Sequence, residues 1–96
     1  PTDMIEIVEN ELSDKADFVI GVNGDSMEPT YYDGDKVFVR KTDALPVGGI
    51  GIFTRGNECF IKELGVECLI SHNKKYNNIP ASDEIRLVGE VLGKVE

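Results

Sequence analysis

The feature that most constrains the fold is a series of short segments rich in β-branched and aromatic residues, each followed closely by glycine, asparagine or aspartate. Segments of this kind, separated by turn residues, are typical of β-strands joined by tight turns. We predict strands over residues 16–22, 36–41, 49–54, 59–64 and 66–71, and one or two more within 84–95. Between the first two strands, residues 26–32 are predicted to form a helix of a turn or two, with Pro29 near its start.

The segments between the predicted strands have the composition of turns and loops. Residues 55–58 are predicted to form a hairpin turn, and residues 73–83, rich in Asn and Lys, are predicted to form a loop. Residues 4–8 admit an edge strand or the start of a helix, and their β-branched content favours the strand. Six or seven strands with very little helix predict a mostly β fold, either twisted antiparallel sheets or a partly open barrel. The length predicts a single domain over residues 1–96.

Composition narrows the possible partners. With 18 acidic and 10 basic residues, the net charge is −8, so the surface is poorly suited to direct contact with nucleic-acid phosphates. No apolar run approaches the ~20 residues of a membrane span and no basic leader begins the chain, so we expect a cytoplasmic protein without membrane contact. Cys59 and Cys68 lack CxxC spacing and are predicted to be free, buried thiols.

A serine lies where the first predicted strand gives way to a turn, in Gly24-Asp25-Ser26-Met27-Glu28-Pro29. Backbone N–H groups in such a turn, including that of Ser26, can bind an oxyanion that develops during nucleophilic attack. A serine in this position is, taken alone, more often a helix cap. The GxSxG pattern of a nucleophile elbow is also absent, because its second glycine is missing. Ser26 alone therefore leaves both roles open.

A lysine within the fourth predicted strand is the second candidate. The strand period of two places Lys62 on the same face as Phe60 and Leu64, opposite Ile61. If the Phe60 face points to the core, Lys62 is buried, and burial favours the neutral amine that a general base requires. If the Ile61 face points inward, Lys62 is an ordinary solvated residue. Periodicity does not decide between these alternatives.

Other sites have weaker support. His72, the sole histidine, follows Ser71, but a Ser–His triad also needs a third group to orient the ring, so we expect a surface or hydrogen-bonding histidine. Asp33, Asp35 and Asp43 lack the order of an EF-hand loop. We therefore expect neither a bound metal nor a cofactor.

Five motifs follow one another along residues 16–95. They are Gly24-Asp25-Ser26-Met27-Glu28-Pro29, Asp33-Gly34-Asp35-Lys36-Val37, Phe60-Ile61-Lys62-Glu63-Leu64, Ser71-His72-Asn73 with Tyr76, Asn78 and Ile79, and Val88-Gly89-Glu90-Val91-Leu92-Gly93. In this order they resemble the motifs of LexA-type repressors and their prophage relatives. Each motif is weak alone, whereas the combination of serine, Asp-Gly-Asp and lysine strand is specific.

The resemblance implies a mostly β self-cleavage domain with a Ser–Lys dyad, in which Ser26 is the nucleophile and Lys62 the general base. In this family the dyad cuts a linker bond, commonly Ala-Gly, that joins an N-terminal helix-turn-helix domain to the peptidase domain, and the RecA filament stimulates the cut after DNA damage. The chain contains no Ala-Gly pair, so we expect the cleaved bond and the DNA-binding domain to lie outside it. Residues 46–51 depart mildly from the usual Asp-Gly or Asn-Gly turn.

The resemblance also implies a homodimer, as does an alternating apolar segment near the C-terminus. Its apolar residues are Ile85, Leu87, Val88, Val91, Leu92 and Val95. Two alternatives stay open. One is a prophage-type oligomerisation module that does not cleave. The other is a signal-peptidase-like enzyme with the same dyad, which the lack of a membrane anchor disfavours.

Overall fold

The computed structural model describes residues 12–96, which form one antiparallel sheet preceded by a turn of helix at 12–15. The strands are β1 (Phe18–Gly21), β2 (Lys36–Lys41), β3 (Ile50–Arg55), β4 (Glu58–Gly65), β5 (Cys68–Ile70), β6 (Ile79–Pro80) and β7 (Ile85–Lys94). Their order across the sheet is β1-β2-β7-β3-β4-β5-β6, and the edge strands β1 and β6 do not pair with each other. The predicted mostly β, partly open architecture is therefore confirmed.

The core lies where β2, β3 and the end of β1 meet. Its centre is a cluster of four β-branched residues, each no more than 4% exposed: Val22, Val37, Val39 and Ile52. Phe38 is also buried although it alternates with two of these residues, so both faces of β2 are covered. Ile61 of β4 and Tyr31 pack against the same cluster. This packing brings the lysine-bearing strand close to the turn that follows β1.

The last strand occupies the middle of the sheet. β7 pairs with β2 on one side and β3 on the other, with a bulge or irregularity in each ladder. A Cβ at Gly89 would stand 2.7 Å from the Arg40 carbonyl oxygen, so the close approach of β2 and β7 requires glycine there. The segment predicted as one or two strands is thus one continuous strand. Val88 and Val91 pack against the core cluster, so part of the apolar pattern that suggested dimerisation serves this chain's own core.

One prediction about local structure is wrong, and a second is incomplete. Residues 26–30 form linked turns, closed by hydrogen bonds such as Thr30 N to Met27 O, and not a helix. The residue before a proline is disfavoured in the helical region, and Glu28 precedes Pro29. Within the predicted loop 73–83, residues 79–80 pair with β5 as a short edge strand. The predicted strand at 4–8 lies outside the described residues.

The cysteines are free, as predicted, but Cys59 is exposed and Cys68 only half-buried. Cys59 is exposed because β5 pairs only with the last three residues of β4, so within residues 12–96 the outer edge of residues 58–62 has no strand partner. In the described part of the chain, no helix has the length and apolar character needed to cross a membrane.

Candidate active site

The serine turn is held by the Asp-Gly-Asp motif that follows it. Asp33 Oδ1 accepts a hydrogen bond from the Gly24 N–H at 2.8 Å, and the Gly34 N–H donates to the Val22 carbonyl at 2.9 Å. The Val22 N–H in turn donates to the Asp35 carbonyl at 2.7 Å. Gly24 has φ = +84°, a conformation that glycine adopts without steric cost. The motif therefore holds the residues that lead into the turn that presents Ser26.

Lys62 lies in the part of β4 that does not pair with β5. Its side chain is buried, with 6% of the residue exposed, although Ile61 on the opposite face packs against the core. Neither alternative drawn from periodicity was complete, because residues on both faces of this strand are covered. The Phe60 ring lies beside the amine, with Nζ 5.6 Å from the ring centroid.

The side chain of Ser26, in the turn after β1, contacts the side chain of Lys62 in β4. Lys62 Nζ lies 2.8 Å from Ser26 Oγ, at hydrogen-bond distance. Within residues 12–96 no carboxylate forms an ion pair with this amine. Burial without a counter-charge lowers the pKa of Lys62 below its ordinary value, because desolvation disfavours the ammonium form. The pair can therefore transfer the hydroxyl proton to a neutral amine. The serine hydroxyl contacts the lysine and caps no helix.

Unoccupied backbone donors accompany the serine. Among residues 12–96, the N–H groups of Asp25, Ser26 and Met27 donate no hydrogen bond. Such donors beside a nucleophile can bind the oxyanion of a tetrahedral intermediate. The turn thus provides a hydroxyl, a base and donors for the developing negative charge within a few residues of one another.

Two cavities adjoin the dyad, and both include Ser26 and Lys62 in their walls. One, of about 200 Å³, lies between the end of β1 and the start of β4 and has apolar walls that include Ile20, Met27 and Ile61. The other, of about 370 Å³, extends toward Ser71 and Tyr76. A larger cavity of about 520 Å³ is lined by Leu45, Phe53, Leu69, Leu87 and other residues, and does not include the dyad. An extended peptide has room on either side of Ser26.

His72 is a hydrogen-bonding histidine, one of the two roles expected of it, but its partners beside the dyad were not predicted. His72 Nδ1 is 2.5 Å from Thr30 Oγ1, and His72 Nε2 is 2.8 Å from Glu63 Oε1. Thr30 follows the serine turn and Glu63 follows Lys62 in β4, so the imidazole connects the two segments that carry the dyad. Ser71 is buried and makes no hydrogen bond to His72 within the described chain, so the structure gives no support to a Ser71–His72 pair.

The loop after β5 makes further contacts with Asp25. The Tyr76 hydroxyl donates a hydrogen bond to its carboxylate, and Lys75 Nζ lies 2.8 Å from the second oxygen. These contacts lower the pKa of Asp25, with the Lys75 hydrogen bond as the largest cause. Tyr76 was part of a recognised motif and Lys75 was not, and no local pattern indicated their partner, which lies about fifty positions away in the chain.

No cluster of three or more metal-ligating side chains occurs in the part of the chain that the structure describes. The aspartates of the Asp-Gly-Asp motif instead accept backbone hydrogen bonds, with Asp35 Oδ2 bonded to the Tyr32 N–H at 2.8 Å.

Comparison with known proteins identifies the family of this chain. Residues 2–92 match the family model described as Peptidase S24-like. A LexA repressor from Carboxydothermus hydrogenoformans (strain ATCC BAA-161 / DSM 6008 / Z-2901) is 31% identical over 107 aligned residues, which include 97% of this chain and 52% of the relative. The chain thus spans about half the length of that relative. With the family model covering nearly the whole sequence, the chain belongs to the Peptidase S24-like family of LexA-type proteins.

Proposed function

We propose that this chain is the self-cleavage and dimerisation domain of a cytoplasmic transcriptional repressor, with Ser26 as nucleophile and Lys62 as general base. The observation that carries the proposal is the 2.8 Å contact between Lys62 Nζ and Ser26 Oγ, made by a lysine that is buried and has no acidic partner within residues 12–96. A solvated lysine would be protonated at neutral pH and could not accept a proton. Similarity to a LexA repressor supports the repressor role.

The proposed reaction proceeds in two steps. Neutral Lys62 accepts the Ser26 hydroxyl proton while Oγ bonds to the carbonyl carbon of the scissile peptide, and N–H groups of the serine turn stabilise the resulting oxyanion. As the C–N bond breaks, Lys62 returns the proton to the leaving amine, which leaves an ester on Ser26. Water then attacks this ester, giving one proton to Lys62, and Ser26 regains a proton as it leaves.

In this proposal the scissile bond lies in a linker to an N-terminal DNA-binding domain, and cutting it separates DNA binding from dimerisation. A two-fold repressor needs one dimer interface to match two half-sites, so loss of that interface lifts repression. A RecA filament formed after DNA damage is the proposed stimulus. The net charge of −8 agrees with DNA contact through another domain only.

Incubating the longer protein that carries this domain at increasing alkaline pH tests the proposal. We expect two fragments whose yield rises with pH, and none from Ser26→Ala. An intact wild-type protein at every pH, with a dimer in sedimentation, would instead indicate the alternative, a non-cleaving oligomerisation module. A monomer at tens of micromolar would contradict the dimerisation role in both cases.

A further inference from the structure

The peptide groups on either side of the Ser26 Cα are both held by one residue of the loop after β5. The Asn73 N–H donates a hydrogen bond to the Ser26 carbonyl at 2.9 Å. Asn73 Nδ2 donates to the Asp25 carbonyl, also at 2.9 Å. Asn73 lies 47 positions beyond Ser26 in the chain, so these are tertiary contacts that connect the serine turn to a separate segment.

The orientation of the Asn73 amide is fixed by its other atom. Asn73 Oδ1 accepts a hydrogen bond from the Lys75 N–H at 3.2 Å, and that acceptor role leaves the nitrogen to face the Asp25 carbonyl. The Asp25 carbonyl also accepts the Glu28 N–H at 3.2 Å from within the turn. Both acceptor positions of this oxygen are then used, and one of the two donors comes from outside the turn.

Holding these carbonyls has a direct effect on the opposite side of each peptide. In a planar trans peptide the N–H points away from the C=O, so fixing the Asp25 carbonyl fixes the direction of the Ser26 N–H. The bond to the Ser26 carbonyl fixes the Met27 N–H in the same way. Those two N–H groups are among the donors without a hydrogen-bond partner in residues 12–96. Donors for an oxyanion are effective when their orientation is set before the reaction.

We propose that Asn73 is a positioning residue that orients the backbone N–H groups of Ser26 and Met27 for binding the oxyanion of the reaction. The inference rests on the proposed Ser–Lys function, but it concerns the reactivity of Ser26 and not the identity of the linker bond. Within residues 12–96 Asn73 forms no hydrogen bond with the Lys62 amine or the Ser26 hydroxyl, so it acts through the backbone of the serine turn.

The test uses Asn73→Asp, which keeps the shape and the Oδ1 acceptor but replaces the donor with an oxygen that faces the Asp25 carbonyl. Asn57→Asp is the matched control, because it makes the same change in the β3–β4 turn, where the side chain forms no hydrogen bond within the described chain. The reactivity of Ser26 is measured on this chain with a fluorophosphonate probe across a pH series. Self-cleavage is measured in parallel on the longer protein.

We expect Asn73→Asp to lower the labelling rate of Ser26 about tenfold or more, and Asn57→Asp to leave it within about twofold. The pH at which the rate is half-maximal reports Lys62, and the new carboxylate should raise it, because a nearby negative charge favours the ammonium form. The rates are therefore compared on the plateau above this midpoint, where Lys62 is neutral in both proteins. An unchanged plateau rate would overturn the proposal. So would a slower rate that is confined to pH values below the midpoint, because it would mean that the variant had only raised the pKa of Lys62.

The wild-type results separate this inference from the proposed function. If Ser26 is labelled but the longer protein never cleaves, self-cleavage fails as the function, and the Asn73 inference is decided by the labelling rates. If wild type shows neither labelling nor cleavage, both are overturned. Melting curves of the two variants establish that the compared proteins are folded.

Discussion

Two hydroxyl–nitrogen pairs lie side by side in this molecule, and they differ in what surrounds the hydroxyl. Ser26 faces the amine of Lys62 at 2.8 Å, and Thr30 faces the imidazole of His72 at 2.5 Å. The second pair even has a carboxylate, Glu63, on the far side of the ring. Judged only by the groups present, Thr30, His72 and Glu63 look more like a hydrolase triad than the dyad does.

The backbone distinguishes them. The N–H groups of Thr30 and Tyr31 both donate to the Met27 carbonyl, at 2.8 and 3.0 Å, so they are not available to an oxyanion. Around Ser26 the corresponding donors are unoccupied within residues 12–96. Thr30 is exposed and its partner His72 is only half-buried, whereas Lys62, the partner of Ser26, is buried. The comparison teaches how a nucleophile is recognised. Backbone N–H groups without a hydrogen-bond partner and a base shielded from water are better signs than the presence of a histidine.

The largest expected effect separates the two hydroxyls. Ser26→Ala should reduce self-cleavage of the longer protein by about 10³-fold or more, whereas Thr30→Val, which removes a hydroxyl at nearly constant shape, should reduce it less than about tenfold. Fragment yield against time at alkaline pH measures both. Ser26→Ala should change the free energy of unfolding by no more than about 1 kcal/mol. The reverse ranking of the two variants would assign the chemistry to Thr30 and His72.

The next effect concerns the base. Lys62→Met should lower the cleavage rate by about 10²–10⁴-fold, because no neutral amine accepts the proton. It should also raise the free energy of unfolding by roughly 1–3 kcal/mol at pH 6, since a poorly solvated amine is replaced by an apolar chain of similar length. Urea denaturation measures the second quantity.

Lys62→Arg is the control, because a guanidinium stays charged and donates without accepting a proton. It should lose cleavage as fully as Lys62→Met but should be destabilised. A Lys62→Arg protein that cuts at the wild-type rate would exclude proton transfer to residue 62.

The pH dependence sharpens the comparison. The cleavage rate should rise about tenfold per pH unit below the pKa of Lys62 and then level off. Burial lowers this pKa, so between the folded pKa and the ordinary lysine value the unfolded chain binds more protons than the native one. The free energy of unfolding should therefore rise with pH through the folded pKa toward the ordinary lysine value, and Lys62→Met should lose that slope. An imidazole base, with a reference pKa near ~6.5, would give a rate that is already level by pH 8. Stopped time courses at several pH values decide between the two profiles.

The smallest expected effect is that of removing the His72 side chain. His72→Ala removes hydrogen bonds to both Thr30 and Glu63, so it should lower the free energy of unfolding by about 1–2 kcal/mol and change the cleavage rate by less than about tenfold. Lys74→Ala, a control at an exposed residue two positions after His72, should change the free energy of unfolding by no more than about 0.5 kcal/mol. Equal melting temperatures for these two variants would show that the His72 hydrogen bonds add no stability.

The sequence was informative where the signal is local. β-Branched segments and their turns predicted the main strands, because burial and turn chemistry act over a few neighbouring residues. The helix at 26–32 was wrong because the cap and proline signals fit linked turns as well as a helix. Periodicity could not place Lys62, since it assumes one covered face, and here Ile61 packs against the core while the serine turn lies beside Lys62.

The two residues of the dyad could be predicted from the sequence, but the hydrogen bonds around them could not. Ser26 and Lys62 stood out because their residue types and order resemble a known family. His72, Asn73 and Tyr76 belong to a recognised motif, yet their partners lie 42 to 51 positions away or on a different strand. Such contacts follow from how strands are arranged in space, and no local pattern encodes them.

The central place of β7 has a consequence for the order in which this protein is made. β1 and β2 belong to the half of the sheet that leads into the serine turn, while β3 to β6 form the lysine half. Among residues 12–96, strand pairing joins the halves only through residues 85–94. A ribosome synthesises those residues after all the other strands of the sheet, at about 5–20 residues per second. Until they emerge, the two halves lack their connecting strand. The strands next to the nucleophile and the strand that carries the base are thus joined only after β7 has been made, when any domain encoded upstream has had time to fold.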